Sequence, residues 1–506
     1  MIRQGRDETR DFELKCDLCV VGSGAGGAMV AREAARAGLS VVVLEEGAYL
    51  QPKQFTQRED EMIPLLFQEA GGRATHDGSI MVLQGRGFGG STVHNTNLCK
   101  RAPSEVLDSW RLPGWGAADL APHYEVVERD LHVSPIDEAQ VNRNSALLRR
   151  GVEKLGWKGG LLSHNRRGCV GSGFCDLGCT FDAKENAAKI LLPEAIASNA
   201  TVLTDCRADR ILLDGARAVG VSARIVNRAG DHAGHRASDA EVRVTIFGAV
   251  CLSASAIGSA ALALRSGLGE RVPATGASLH LHPGLAVAGV FDEVIEGWQG
   301  IPQSYECTQH LRFDEGAGDE RIWIIPAFAH PASLASMLPG FGAAHAARMR
   351  DYPKMGILAA LLHDRSSGSV SLESDGRARI RYQLDADDQR TLLSGARACA
   401  EILLAAGAKR VLVPFADPLE ISNRSELDAI VQRGYRPLDP VLTSTHPMGT
   451  LPLGKVVDEQ GRFHTVSHLW VTDGSVFPSS LGGPPQLTIY AAAHKIAHHL
   501  IAELGK

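Results

Sequence analysis

Residues Cys16 to Gly47, CDLCVVGSGAGGAMVAREAARAGLSVVVLEEG, decide the fold. The apolar run Leu18 to Val21 reads as a buried strand that enters Gly22, Gly24 and Gly27, the spacing G-x-G-x-x-G. A helix is expected from Ala25 to Ala37, with Ala28, Ala31, Ala34 and Ala35 small enough for close packing on a sheet. Gly38 can end it in a left-handed conformation. A second apolar run, Val41 to Leu44, leads to Glu45. In such a unit the first glycine permits the tight turn, the second lets backbone approach a pyrophosphate, and the third lets helix and strand pack. The phosphates then meet free N–H groups and the positive end of the helix dipole. Glu45, ~20 residues on, is placed to accept from ribose hydroxyls. The acid argues against a 2′-phosphate but does not separate NAD from the ADP half of FAD.

The chain has 506 residues, enough for two or three domains, and a formal charge of −6 with its arginines dispersed. That pattern excludes a massed basic face for nucleic acid. The first 15 residues are polar and carry no apolar signal region, and no apolar run reaches the ~18–20 residues of a membrane span, so the expectation is a cytoplasmic protein without a transmembrane segment. Ten cysteines in so long a chain do not form a disulfide framework; most, such as Cys19 and Cys251, sit singly in apolar strands.

Gln84 to Asn95, QGRGFGGSTVHN, holds four glycines in six residues and reads as backbone held against something flat or charged. This stretch resembles the glycine-rich signature of the glucose–methanol–choline (GMC) family of FAD oxidoreductases. The segment Ala249 to Gly267 is similar to that family's second signature, and Ser444 to Ala493, STHPMGT…LWVTDGSVFPSSLGGPPQLTIYAAA, to its C-terminal block. SLHLHPG at 278–284 and HDRSSGSV at 363–370 resemble the long-chain alcohol oxidase and cholesterol oxidase branches most. The resemblance implies an α/β (α+β overall) chain: a Rossmann-like FAD-binding domain and a substrate domain built on an antiparallel sheet flanked by helices. The expected division is 1–284 for FAD binding, with an inserted helical and cysteine-loop segment at about 101–200, then 285–440 for substrate, then 441–506 returning to the FAD domain.

Between these blocks, residues 101–165 read as helical with loops. Residues 202–250 alternate apolar and polar, with a break at Asp214-Gly215, and read as a small meander returning to the nucleotide domain. Residues 285–440 begin with strand-like runs and end in a helix from Asp387 to Ala406. The small and apolar residues 340–362 suit either the lining of an apolar pocket or packing against the main sheet.

By the same resemblance, Gly89, Gly90, Ser91, His94 and Asn95 lie along the flavin, and Asp473-Gly474 meets its ribityl-phosphate end. A final helix beginning at Pro485 or Gln486 would direct its positive end at the flavin edge that gains negative charge on reduction. His446, in THPMGT, matches the family's catalytic histidine, and a neutral imidazole can take a hydroxyl proton near pH 7. The related branch has Asn–Pro where this chain has Pro484-Pro485, so the second donor beside the histidine is missing; Gln486 and His94 are candidates to replace it. His94 also stands where choline oxidase joins histidine covalently to FAD, an arrangement that alternates in the family with free FAD.

Cys169, Cys175 and Cys179 form C-x5-C-x3-C in a glycine-rich loop, with Arg166, Arg167 and Lys184 near in sequence to favour thiolates. Three cysteines are too few for a closed four-cysteine zinc site. They suit a three-cysteine iron–sulfur cluster such as [3Fe–4S], as the spacing in bacterial FAD glucose dehydrogenases does, or structural thiols of the kind found in cholesterol oxidase-like relatives, where a fourth cysteine often falls at Ser172. The resemblance thus implies oxidation of an alcohol, CH–OH, to aldehyde or ketone, with hydride passing to FAD and His446 as base. The substrate is expected to be apolar, aromatic or sterol-like, and the electron acceptor to be oxygen, a quinone or a redox protein. Two other readings stand beside it: a lyase that holds FAD without using it as oxidant, and an electron-transfer subunit.

Overall fold

In a computed structural model that describes residues 1–226 and 240–505, two sheets and their helices carry the chain. The first sheet runs Ile2–Gln4, Thr201–Thr204, Val41–Leu44, Phe12–Val21, Glu241–Leu252, Arg217–Ile225, Cys206–Asp214. The strand expected at Leu18 begins six residues earlier, at Phe12, because its first half alternates exposure and pairs along Glu241–Leu252. The helix Ala25–Arg36 follows, with Ala28, Ala31, Ala34 and Ala35 buried, and Gly38 closes it at φ +85°. The meander forms as two antiparallel pairings, with residues 227–239 of that stretch outside the described residues.

Glu241–Leu252 joins the two ends of the chain. Its last residues pair in parallel with Phe12–Val21 on one side and with Leu469–Val471 on the other, so Leu252 faces both Val21 and Val471. The turns that leave all three strands, at Gly22, Ser253 and Thr472, therefore emerge at one edge of the sheet. This is where a doubly wound sheet binds its ligand. The helix Gln486–Glu503 then returns and packs on Ala25–Arg36.

The second sheet is antiparallel along Leu419–Ile421, Arg410–Val413, Gly284–Val290, Met355–Leu362, Ile322–Ala327, Tyr305–Cys307 and Gly159–Leu161, with Leu442–Ser444 and Ile80–Val82 added at Gly284. Strands from residues 80–82, 159–161 and 442–444 thus enter a sheet whose centre lies within 285–440. Residues 101–165, expected as helix and loop, also hold the short strands Val133–Pro135, Gly159–Leu161 and Ser163–Asn165; three-residue strands are too short to show alternation. Residues 340–362 divide: Gly342–Arg350 is a surface helix with no buried residue, and Met355–Leu362 is a buried central strand of this second sheet. No helix among the described residues is long and apolar enough to cross a membrane.

The helix Ala386–Ala406 covers the second sheet with Leu392, Leu393, Ala396, Cys399, Ala400 and Leu403, one helical face. Its first turn is tied to the sheet by a buried ion pair. Arg321 donates to Asp388 at 2.6 Å, to the carbonyls of His363 and Gly318, and to Thr391. Asp388 also accepts from the backbone of Arg365 and Ser366, so one pair holds the loop 363–366 in place. Removing one member of a fully buried pair strands the other's charge. Arg321→Ala is expected to lower stability by about 3–5 kcal/mol, read as a fall in the urea midpoint at unchanged slope.

Candidate functional site

The first glycine turn is built by backbone meeting backbone. A β-carbon at Gly22 would lie 2.3 Å from the Ser253 carbonyl oxygen, and Gly22 has φ +98°. One at Gly27 would lie 1.9 Å from the Gly22 carbonyl, and one at Gly26 the same distance from that of Thr472. Gly24 differs: its nearest neighbour would be the Gly90 α-carbon at 4.0 Å, and its φ of −69° suits any residue. Protein packing therefore explains glycine at 22, 26 and 27, while at Gly24 the room is left for something else. No side chain caps the helix that begins here. A diphosphate requires both features: close access to backbone and an uncapped helix end.

Glu45 locks this turn to the second glycine loop. One carboxylate oxygen accepts from the Ser23 amide at 3.0 Å and the Ser23 hydroxyl at 2.6 Å; the other accepts from the amides of Gly47 and Gly87. Those four donors match the four acceptor positions of a carboxylate, so a ribose hydroxyl would have to displace one of them. Burial pushes Glu45 above the usual carboxylate range, and the bonds from Ser23, Gly47 and Gly87 oppose it. Gly89 and Gly90, both at positive φ, bring the loop against Gly24 and Ser23. Ser91 accepts from the Gly85 amide through its hydroxyl.

His94 is buried with its ring on Phe67, and its Nε2 fills the space a β-carbon on Gly85 would take. Burial, then the charge of Lys184, brings its pKa down to about 3. Asn95 donates to the Gln486 side-chain carbonyl, joining the loop to the last helix. That helix begins at Gln486 with Pro485 at its uncapped N-cap. Asp473 accepts from the Ser475 amide and hydroxyl and from Ser259, and Gly474 lies against Pro447 and Ile489. The sequence-assigned residues from both ends of the chain thus form one connected region.

His446 is half-buried, and the group beside it is His282, not Gln486 or His94. The two Nδ1 atoms are 2.8 Å apart and the rings stack at 5.0 Å. Nothing in SLHLHPG marks His282 for this role, since two histidines 164 residues apart carry no sequence signal of contact. Asp364 organises this segment by accepting from the backbone of Leu281 and His282 and from the Tyr382 hydroxyl. Burial works to raise Asp364, but His280 and Tyr382 outweigh it and hold the carboxyl low. Burial, then the other imidazole, keeps His446 well below the ordinary histidine value, and burial brings His282 to about 4. Both are neutral at pH 7.

The buried nitrogens His282 Nε2, His363 Nδ1 and Gln486 Nε2 have no hydrogen-bond partner in the protein. Buried polar atoms are nearly always paired, so a polar group from outside the chain fits here, as a flavin with its substrate does.

Cys169, Cys175 and Cys179 line one small cavity with Ser172, Arg166 and Lys184. Their sulfurs are not all within 4.8 Å of one another, too wide for one ion. The expected thiolate bias is reversed at Cys175: burial raises its pKa more than Lys184 and Arg166 lower it. Both cations are engaged with backbone, Lys184 with the carbonyls of Val93, Asn95 and Cys175 and Arg166 with that of Thr96, while Arg167 turns to His132.

Comparison with known proteins agrees with this geometry. Sequence profiles described as GMC oxidoreductase match residues 63–284 and 364–493. A GMC-type oxidoreductase of Mycobacterium tuberculosis is 34% identical over 97% of this chain and 76% of its own length. A long-chain-alcohol oxidase of Arabidopsis thaliana is 30% identical over 96% of this chain and 68% of its own. Pyridoxine 4-oxidase from Mesorbium loti superimposes with a TM-score of 0.71 at 18% identity, covering 96% of this chain and 99% of that one, a likeness of fold.

The contrast between neighbouring glycines is testable. Gly24→Ala should fold with a loss under about 1 kcal/mol, as at an N-cap, yet bind FAD about tenfold more weakly, measured by fluorescence titration of apoprotein. Gly26→Ala should instead lose stability by about 1–3 kcal/mol or more, because its methyl meets the Thr472 carbonyl.

Proposed function

The chain belongs to the GMC oxidoreductases, and on that premise we propose that it oxidises the CH–OH carbon of an alcohol to an aldehyde or ketone with His446 as base. The family implies FAD, and the fit of Gly24, the uncapped helix ends and the unpaired buried nitrogens supports it. Bound FAD supplies the two-electron acceptor for the hydride that leaves carbon. Gly22, Gly24 and Gly27 would hold its diphosphate; Gly89, Gly90, Ser91, Asn95, Asp473, Gly474, Pro485 and Gln486 would surround the rest. The long-chain-alcohol oxidase relative supports an apolar substrate.

The observation that carries this reading is the His446–His282 pair. His446 donates its Nδ1–H to Nδ1 of His282, which leaves the lone pair on His446 Nε2. That nitrogen accepts the hydroxyl proton as hydride leaves the same alcohol, and His282 stabilises the resulting imidazolium. Asp364 keeps His282 in place through the backbone. Pro484 donates nothing, so the alcohol oxygen depends on this pair more than in a site with a second donor. A lyase of the same fold would leave flavin colour unchanged on anaerobic mixing with alcohols; oxidation bleaches it.

A second reading concerns electron exit. The convergence of Cys169, Cys175 and Cys179 on one cavity supports a cluster such as [3Fe–4S] that would relay electrons to a quinone or redox protein. Stoichiometric iron in anaerobically purified protein would support it; iron-free protein with full turnover on oxygen would exclude it. The cavity then holds structural thiols and the enzyme is an oxidase.

His446→Ala should retain FAD and lose 10²-fold or more in the rate of flavin reduction in stopped flow. Because burial holds both imidazoles neutral, the acid limb of kcat/KM should lie well below pH 6.5 in the wild type. His282→Ala should retain FAD yet slow flavin reduction about tenfold or more, since the imidazolium forming on His446 loses the acceptor of its Nδ1–H. His94 Nε2 is turned onto Gly85, so acid precipitation should leave the flavin in the supernatant and the pellet colourless.

A further inference from the structure

Away from the flavin region, Glu33, His494 and His498 present ligand atoms that all lie within 4.8 Å of one another. His123 stands beside this group: its Nδ1 is 2.8 Å from Nδ1 of His494, and its ring stands edge-on to both other imidazoles. Three helices supply these residues. Glu33 comes from Ala25–Arg36, His123 from Ala117–Asp130, and His494 and His498 from Gln486–Glu503, where a spacing of four puts them on one face.

We propose that Glu33, His123, His494 and His498 form a binding site for a divalent transition ion of the zinc type. Three imidazoles and a carboxylate are a nitrogen-rich set that such ions prefer, whereas magnesium and calcium take oxygen. A tetrahedral ion at 2.0–2.1 Å from nitrogen needs its ligands roughly 3.3 Å apart. Glu33, His494 and His498 are therefore preassembled but slightly open, and His123, hydrogen-bonded to His494, has to turn from that bond to become the fourth ligand. His494 is buried, His123 and Glu33 are partly buried, and His498 is exposed, so the site has a fixed wall and an entry.

Arg32 is the competitor, donating to Glu33 at 2.8 Å. It also donates to Asp130 at 2.8 Å and lies 3.5 Å from Glu194, so it keeps partners when Glu33 turns to the ion. The ion would bridge the helix that begins at the first glycine turn and the helix that begins at Gln486. Because it binds only the assembled helices, it would stabilise the folded state by mass action.

The test uses the full-length flavoprotein, stripped with a chelator and titrated with Zn2+ in a calorimeter and with Co2+ in difference absorption. One equivalent should bind, with visible cobalt bands and no intense near-ultraviolet thiolate band. His498→Gln and Glu33→Gln should each weaken binding by about tenfold or more and abolish the rise in Tm that Zn2+ gives the wild type. Both change partly or fully exposed side chains, so their flavin content should stay normal. The proposal falls if no equivalent binds, if both variants bind as the wild type does, or if the only cobalt site shows thiolate absorption, which would place the ion at the cysteine loop.

Discussion

Backbone against backbone, with no side chain between, is the constraint on which the molecule depends. Three turns leave adjacent parallel strands and come together at the start of one helix, at separations only glycine tolerates. Gly22 meets Ser253 and Gly26 meets Thr472, while Gly24 keeps open room toward Gly90. Pairing of Glu241–Leu252 with strands from both ends of the chain forces this meeting. The uncapped helix end and the Gly24 opening follow from it, and so does the connection of residues 22–47, 84–95 and 473–486 into one region.

The second sheet adds the proton chemistry. His282 lies just before its strand Gly284–Val290 and His446 just after Leu442–Ser444, which pairs with that strand at Gly284. The same pairing sets the two imidazoles side by side. Asp364 then fixes the His282 backbone, while the buried Arg321–Asp388 pair fixes the loop bearing Asp364. A chain of polar contacts thus runs from the covering helix to the proposed base. Such a chain is costly to leave half satisfied, which is why its members are buried together.

Two clusters of metal-binding residue types differ in character. The cysteine loop surrounds a small cavity with cations already engaged by backbone carbonyls. The histidine cluster draws its four members from three packed helices and is open to solvent at His498. The first was visible as a spacing along one loop. The second was invisible, because Glu33, His123 and His494 are far apart in the chain.

The local units could be read from residues alone. The strand, glycine turn, helix and following strand of 16–47 are a matter of period and turn chemistry, and each formed within a few residues of its expected bounds, apart from the earlier start of the first strand. The helix ending at Ala406 and the strand at Leu469 were legible for the same reason. Residues 340–362 were not, since small apolar residues suit an exposed helix and a buried strand equally. Nor was the filling of Glu45 by four protein donors, because three of them are backbone amides, which no sequence marks. The partner of His446 was hidden too, being set by pairing between distant strands. Sequence by itself determined which segments would be strand, turn or helix, because those preferences act over a few neighbouring residues. Only the tertiary structure decided which side chains meet, because contacts across 164 residues depend on strand register and burial that no local pattern encodes.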